Sequence, residues 1–282
     1  MIKEFSLRVS KAWRSALKYW QIFKISFEEE FVYKINFIMW RLRNVFQIIV
    51  TFYLWDTIFT TPGREVFGYD RSRILTYVFA LMIVRAVVLS ARAVDVSSDV
   101  AEGNLSNYLV RPMSYFKYWF TRDLASKVLN LSFAAGEFAV LFVVLQPPFF
   151  LQTDIYTVLS FLIAVVLAIL IYFSLLFIIS AVPFWAPELG WGSQFLVNIV
   201  ILEFLSGSVF PIDILPAFYQ KIVMATPFPY MIFFPVQVYL GKITGGALIS
   251  GFLISAAWAV VLYLSMRYVW GRGLKAYQAF GR

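Results

Sequence analysis

Three ionisable residues interrupt long apolar runs: Arg85, Glu137 and Glu203. A charge at mid-bilayer costs about 2.5–3.5 kcal/mol on insertion scales, so each must face a protein interior, a wet cavity or an opposite charge. The expected arrangement pairs Arg85 with Glu137 or Glu203 beside a route for a solute. The plainer alternative is an ion pair that only fixes helix packing. A second polar group lies between Asp95 and Lys127, in the segment DVSSDVAEGNLSNYLVRPMSYFKYWFTRDLASK. Its carboxylates, Asp95, Asp99 and Glu102, have the chemistry of general acids or bases. The chain, however, has no His and no Cys, which removes histidine acid–base catalysis, thiol chemistry and the usual zinc and iron ligands. Carboxylates on a polar helix without such partners read better as a docking face for a soluble protein.

Motifs for nucleotide or ester chemistry are missing. Gly241-Lys242 is followed by Ile243-Thr244 and position 236 is Val, so the Gly-x-x-x-x-Gly-Lys-Ser/Thr pattern of a phosphate-binding loop fails. No Gly-x-Ser-x-Gly elbow and no His-Glu-x-x-His helix occurs. Work done by this chain must draw its energy from another chain or from an ion gradient.

The elements that position these residues are membrane spans. Of 282 residues, 61% are hydrophobic and 14% charged, and the mean hydropathy is +0.77. Soluble domains carry roughly 25% charged residues. A crossing helix needs about 20 mostly apolar residues, and six stretches qualify: 37–60, 74–94, 121–146, 155–182, 191–210 and 247–269. The runs are continuous, unlike the short alternating strands of a barrel. The predicted fold is an all-α membrane protein forming one transmembrane domain over residues 1–282. Arg85 falls near the middle of the second span. Arg41 and Arg43 fall at the inner edge of the first, where snorkelling is expected.

Residues 1–34 lack the short apolar core and cleavage site of a signal peptide. At helical spacing, Phe5, Val9, Ala12, Ala16, Trp20, Phe23 and Phe27 share one face and Lys3, Lys11, Arg14, Lys18 and Gln21 the other. This predicts an amphipathic helix lying in the membrane interface. Residues 211–241 carry Pro211, Pro216, Pro227, Pro229 and Pro235, which forbid one continuous helix, yet the segment is too apolar for a free loop. Short re-entrant helices fit it, as an outer gate or a structural lid.

With the N-terminus inside, the inner segments hold 18 Lys and Arg and the outer ones 5. That bias places both termini and the polar 95–120 loop on the cytoplasmic side. The net charge of +8 sits beside apolar spans, so its partner is anionic lipid rather than nucleic acid.

The chain resembles the membrane subunit of type-2 ABC exporters, in the subgroup of small six-span bacterial permeases. The resemblance rests on residues 23–37, on Glu102-Gly103-Asn104-Leu105-Ser106-Asn107-Tyr108-Leu109-Val110-Arg111-Pro112, and on the proline-marked stretch from Phe210-Pro211 to Tyr239-Leu240-Gly241. It implies a coupling helix at about Asp99–Leu109 that docks into a cytoplasmic ATP-binding-cassette ATPase, with Asp99, Glu102, Asn104, Asn107 and Arg111 as contacts. It implies that residues 1–34 form a connecting helix beside that ATPase, and that ATP and magnesium bind the ATPase rather than this chain. A second copy or a related permease would complete the pathway in a bacterial inner membrane. Arg85, Glu137 and Glu203 have no counterpart in the resemblance. Three readings compete with it. A gradient-driven carrier lacks support from any inverted repeat. A lipid-processing membrane enzyme lacks a nucleophile. A non-transporting assembly subunit has no distinguishing mark in the sequence. The cargo is not readable from the residues.

Overall fold

The structure is a computed structural model that describes residues 2–30, 34–59 and 65–277. It is helical throughout, and the described residues contain one isolated bridge, Val66 with Tyr69, and no strand. The long helices are α1 (Ile2–Glu29), α2 (Lys34–Ile58), α3 (Arg71–Val88), α6 (Tyr115–Leu145), α7 (Ile155–Ile179) and α12 (Gly245–Ala276). Between α3 and α6 lie a 3-10 turn (Arg92–Val94), α4 (Asp95–Ala101) and α5 (Leu105–Leu109). Between α7 and α12 the chain forms α8 (Gly190–Phe195), a π-helical stretch (Leu196–Ile201), α9 (Leu202–Leu205), α10 (Ala217–Met224) and α11 (Phe233–Tyr239).

Among the described residues four helical stretches are long and apolar enough to cross a membrane: Tyr115–Leu145, Ile155–Phe184, Pro187–Leu205 and Gly245–Ala276. A fifth results if Arg71–Val88 and Arg92–Ala101, bent by 51°, form one span. The predicted first span is helical as α2, but Arg41, Arg43, Asn44 and Gln47 leave it too polar to count by composition. The predicted second span ends early. α3 stops at Val88, so Arg85 stands in its last turn rather than at mid-span.

α7 is the pillar of the bundle. Its first turn is capped by Asp154, whose carboxylate accepts from the Thr157 N–H at 2.9 Å and the Thr157 hydroxyl at 2.6 Å. Those bonds hold the Asp154 carboxyl below its usual range. α12 packs along α7 with α11 beside it. Two glycines of α12 permit this closeness. A Cβ at Gly251 would lie 2.2 Å from the Phe234 ring of α11, and one at Gly273 would lie 2.1 Å from Phe184. α1 lies along α6, joined by Arg122–Glu29 at 2.6 Å, and reaches the α3–α4 break through Arg92–Glu30 at 2.7 Å. Trp13, Leu17 and Trp20 of α1 are exposed. Of its predicted faces, Ala16 and Gln21 are exposed and Lys18, Phe23 and Phe27 half-buried, while Lys3, Phe5, Val9, Lys11, Ala12 and Arg14 lie outside the described side chains.

The proline-marked segment folds as short helices bound by a polar clasp. Tyr69 donates to Asp213 at 2.9 Å, Lys242 pairs with Asp213 at 2.9 Å, and Gln237 donates to the Tyr69 hydroxyl. Burial, and then the Asp213 charge, raise the Tyr69 phenol well above its usual range, so it stays a proton donor.

Candidate functional site

α2, α3, α6 and the α8–α9 stretch enclose a chamber of about 670 Å³. Its walls carry Arg41, Arg43, Asn44 and Gln47 from α2, and Arg85 from α3. Asn130 and Glu137 come from α6, Tyr172 from α7, and Gln194, Asn198 and Glu203 from the fifth stretch. Glu203 and Asn198 stand at or beside the π-helical turns, whose extra residue re-aims side chains.

The three charges expected inside the membrane all line this chamber, in two separate pairs. Arg85 donates from both terminal nitrogens to Glu203, at 3.0 and 2.9 Å. Gln47 adds a bond to Glu203 at 2.6 Å. Glu137 belongs instead to Arg41, which grips it in a bidentate fork at 2.6 and 2.5 Å. Arg41 does not snorkel. It is buried, because a fork to a carboxylate on the neighbouring helix satisfies it better than a reach to headgroups. Arg43 does remain exposed, with its guanidinium over the Trp40 ring at 4.9 Å.

A chain of buried and half-buried side chains leads from the chamber toward α4. Tyr172 donates to Asn198 at 3.0 Å, and Asn198 to Gln194 at 2.9 Å. Gln194 donates to the Ser180 hydroxyl at 2.7 Å, and Ser180 to the Ala93 carbonyl at 2.9 Å. The α3–α4 break is gripped from its other side by α6. Lys127 donates to the carbonyls of Val88 at 3.2 Å and Ser90 at 2.6 Å, while Asp123 accepts the Arg92 N–H at 3.1 Å. The two side chains, 5% and 0% exposed, also pair with each other at 3.0 Å. Lys127 is therefore a buried residue of α6 and not one of the headgroup-facing cations of the inner loop. The sequence did carry a signal for this pair: opposite charges at i and i+4 within a run already helical and mostly apolar.

The residues expected to dock an ATPase lie on α4, α5 and the turns around them. Asp99 is partly buried, 3.4 Å from the Tyr115 hydroxyl. Glu102, Asn104, Asn107 and Arg111 are exposed. Between them stand Leu109 and Val110, 50% and 84% exposed. The segment is held from behind. Tyr277 donates to the Gly103 carbonyl at 2.7 Å, where Gly103 takes a φ of +82°, and Lys18 of α1 donates to the Pro112 carbonyl at 2.9 Å. Beneath it Leu105 is fully buried, and Tyr108, Tyr115 and Trp119 stack edge to face or tilted.

Four helical stretches long and apolar enough to cross a membrane, beside a chamber lined by charged pairs, define a multi-pass membrane protein. The chain matches the family described as ABC-2 family transporter protein over residues 45–281. It belongs to that family, as a type-2 ABC permease subunit. The match begins inside α2, so α1 lies outside it. No curated protein matches the chain.

Proposed function

We propose that this chain forms half of the pathway of an ATP-driven exporter in a bacterial inner membrane, with six spans and both termini in the cytoplasm. α2 is the first span and α3 the second. α4 and α5 form the coupling element that docks a cytoplasmic ATPase, where ATP and magnesium bind. A second copy, or a related permease, completes the pathway. The observation that carries this reading is the projection from Ala101 to Pro112. It exposes an apolar tip, Leu109–Val110, between Glu102 and Arg111, while the bonds from Tyr277 and Lys18 hold its turns rigid. A lever must be stiff to transmit force, and its tip must offer a partner both apolar area and charge. Moving a two-state bundle from 1:99 to 99:1 takes about 5.5 kcal/mol, within reach of nucleotide-driven closure.

The test is a mild-detergent pull-down of the tagged protein from its own cells, with mass spectrometry of what accompanies it. A stoichiometric ATP-binding-cassette subunit is expected, and Glu102→Arg should release it while leaving the permease in the membrane. Unchanged recovery of the ATPase with Glu102→Arg and with Val110→Asp would remove the docking assignment.

A further inference from the structure

Glu137 also lines a second hollow, of about 490 Å³, formed by Val45 of α2 and by Phe133, Gly136, Val140 and Leu141 of α6. Apart from Glu137 and Ser132 its lining is apolar, and Val140 and Phe133 are exposed along it. Gly136 leaves it open, because a Cβ there would meet nothing within 4 Å. A polar chamber and an apolar groove thus share one residue as their common wall.

The hydrogen-bond inventory of the chamber has a sign. Both oxygens of Glu137 are taken by Arg41, and both oxygens of Glu203 by Arg85, with Gln47 added to one. These two carboxylates are occupied, and Glu30, also on the wall, is paired with Arg92 through one oxygen, while Arg43 keeps donors to spare. Among the described residues Arg43 has a ring beneath it and no carboxylate hydrogen-bonded to it, although its charge is felt by Glu203. A guanidinium carries five donors and no acceptor. A guest that brings acceptors and negative charge is met by unfilled donors, whereas a cationic guest would have to displace an arginine from a bidentate pair.

We propose that the cargo of this permease is an anionic amphiphile, whose headgroup enters the chamber toward Arg43 and whose hydrocarbon chain lies in the α2–α6 groove. This deepens the transport reading and rests on it for the word cargo. The binding site itself does not depend on an ATPase. The chemical class is a lipid-like molecule with one flexible chain and a phosphate, sulfate or carboxylate head. The apolar groove takes the chain by hydrophobic burial, and the donor excess selects the head.

The test uses the purified permease in phosphatidylcholine nanodiscs and two photoreactive probes with the same diazirine-bearing dodecyl chain, one a phosphate and the other an alcohol. Peptides carrying residues 132–141 should be labelled about tenfold more by the phosphate than by the alcohol, the factor expected for a charge-assisted hydrogen bond. Arg43→Gln should abolish that excess and Arg43→Lys should keep most of it. Gly136→Leu should reduce labelling of the groove by both probes and leave labelling around the lipid-exposed Leu253 unchanged. Equal labelling by the two probes, or labelling indifferent to Arg43→Gln and Gly136→Leu, makes the groove a seat for ordinary bilayer lipid and overturns the proposal. In the complex recovered with its ATPase, dodecyl phosphate should raise ATP hydrolysis and dodecanol should not. Selective labelling without that stimulation would overturn the cargo assignment. A permease recovered without any ATPase would overturn the exporter reading and leave the labelling result standing.

Discussion

At the scale of single residues, the chamber is made of pairs whose halves lie far apart in the chain. Arg85 and Glu203 are separated by 118 positions, and Arg41 and Glu137 by 96. Arg41 is buried and Arg85 half-buried, so removing one carboxylate leaves an uncompensated cation rather than an empty space. Glu203→Gln should therefore lower stability by about 1.5–3 kcal/mol, the range for hydrogen bonds to charged groups. The double exchange Arg85→Glu with Glu203→Arg should recover most of it, as read from thermal unfolding of the detergent-solubilised protein. If the exchange also restores transport, the pair is architectural. If stability returns and transport does not, the position of the cation matters to the route. Arg41 shows why composition alone misjudged such a site. An arginine near a helix start in an apolar run reads as snorkelling, and nothing within its own helix announces a carboxylate on α6.

At the scale of elements, the break between α3 and α4 is made by other helices. Leu89, Ser90 and Ala91 include no proline or glycine, so no local signal interrupts the predicted span there. Lys127 takes the freed carbonyls, Asp123 the freed N–H, and Ser180 the next carbonyl. A helix end buried with its polar groups satisfied in this way costs little, and the bend of 51° follows. Long uniform spans such as α7 and α12 were legible, because continuous apolarity needs no partner to be read. The break and the π-helical turns were not, because each is decided by contacts between distant segments; the Asp123–Lys127 spacing was visible, but not the α3–α4 carbonyls and N–H that the pair grips. The pair gives a sharp expectation. Lys127→Met should destabilise by about 3–5 kcal/mol through the orphaned carboxylate, whereas Lys127→Met with Asp123→Leu should regain much of that loss. Should the double variant fold and bind its ATPase yet hydrolyse ATP without transport, the grip on the break is what joins the projection to the chamber. Full transport in that variant would confine the pair to a packing role.

At the scale of the whole molecule, α3 links three features in chain order: the clasp around Asp213 at Tyr69 before its start, the chamber along it, and the braced projection beyond its end. The α7–α12 pillar holds them in line, and glycines at 251 and 273 set its packing. The proposed orientation can be read out directly, because the chain contains no cysteine and any introduced thiol is unique. A cysteine at Val110, 84% exposed, should react with a membrane-impermeant maleimide in inverted vesicles and stay silent in intact spheroplasts. One at Phe218, 69% exposed, should do the reverse. The opposite pattern would invert the topology and place the projection away from any cytoplasmic ATPase.

The long separation within each pair has a consequence for how the protein is made. Chains are synthesised at roughly 5–20 residues per second. Arg41 therefore leaves the ribosome about 5–20 seconds ahead of Glu137, and Arg85 waits slightly longer for Glu203. On the proposed topology, α2 and α3 carry Arg41 and Arg85 into the membrane during that interval, before either partner carboxylate has been made. The helices least able to insert alone are thus made first, and they depend on the insertion machinery to shelter them until the later spans arrive.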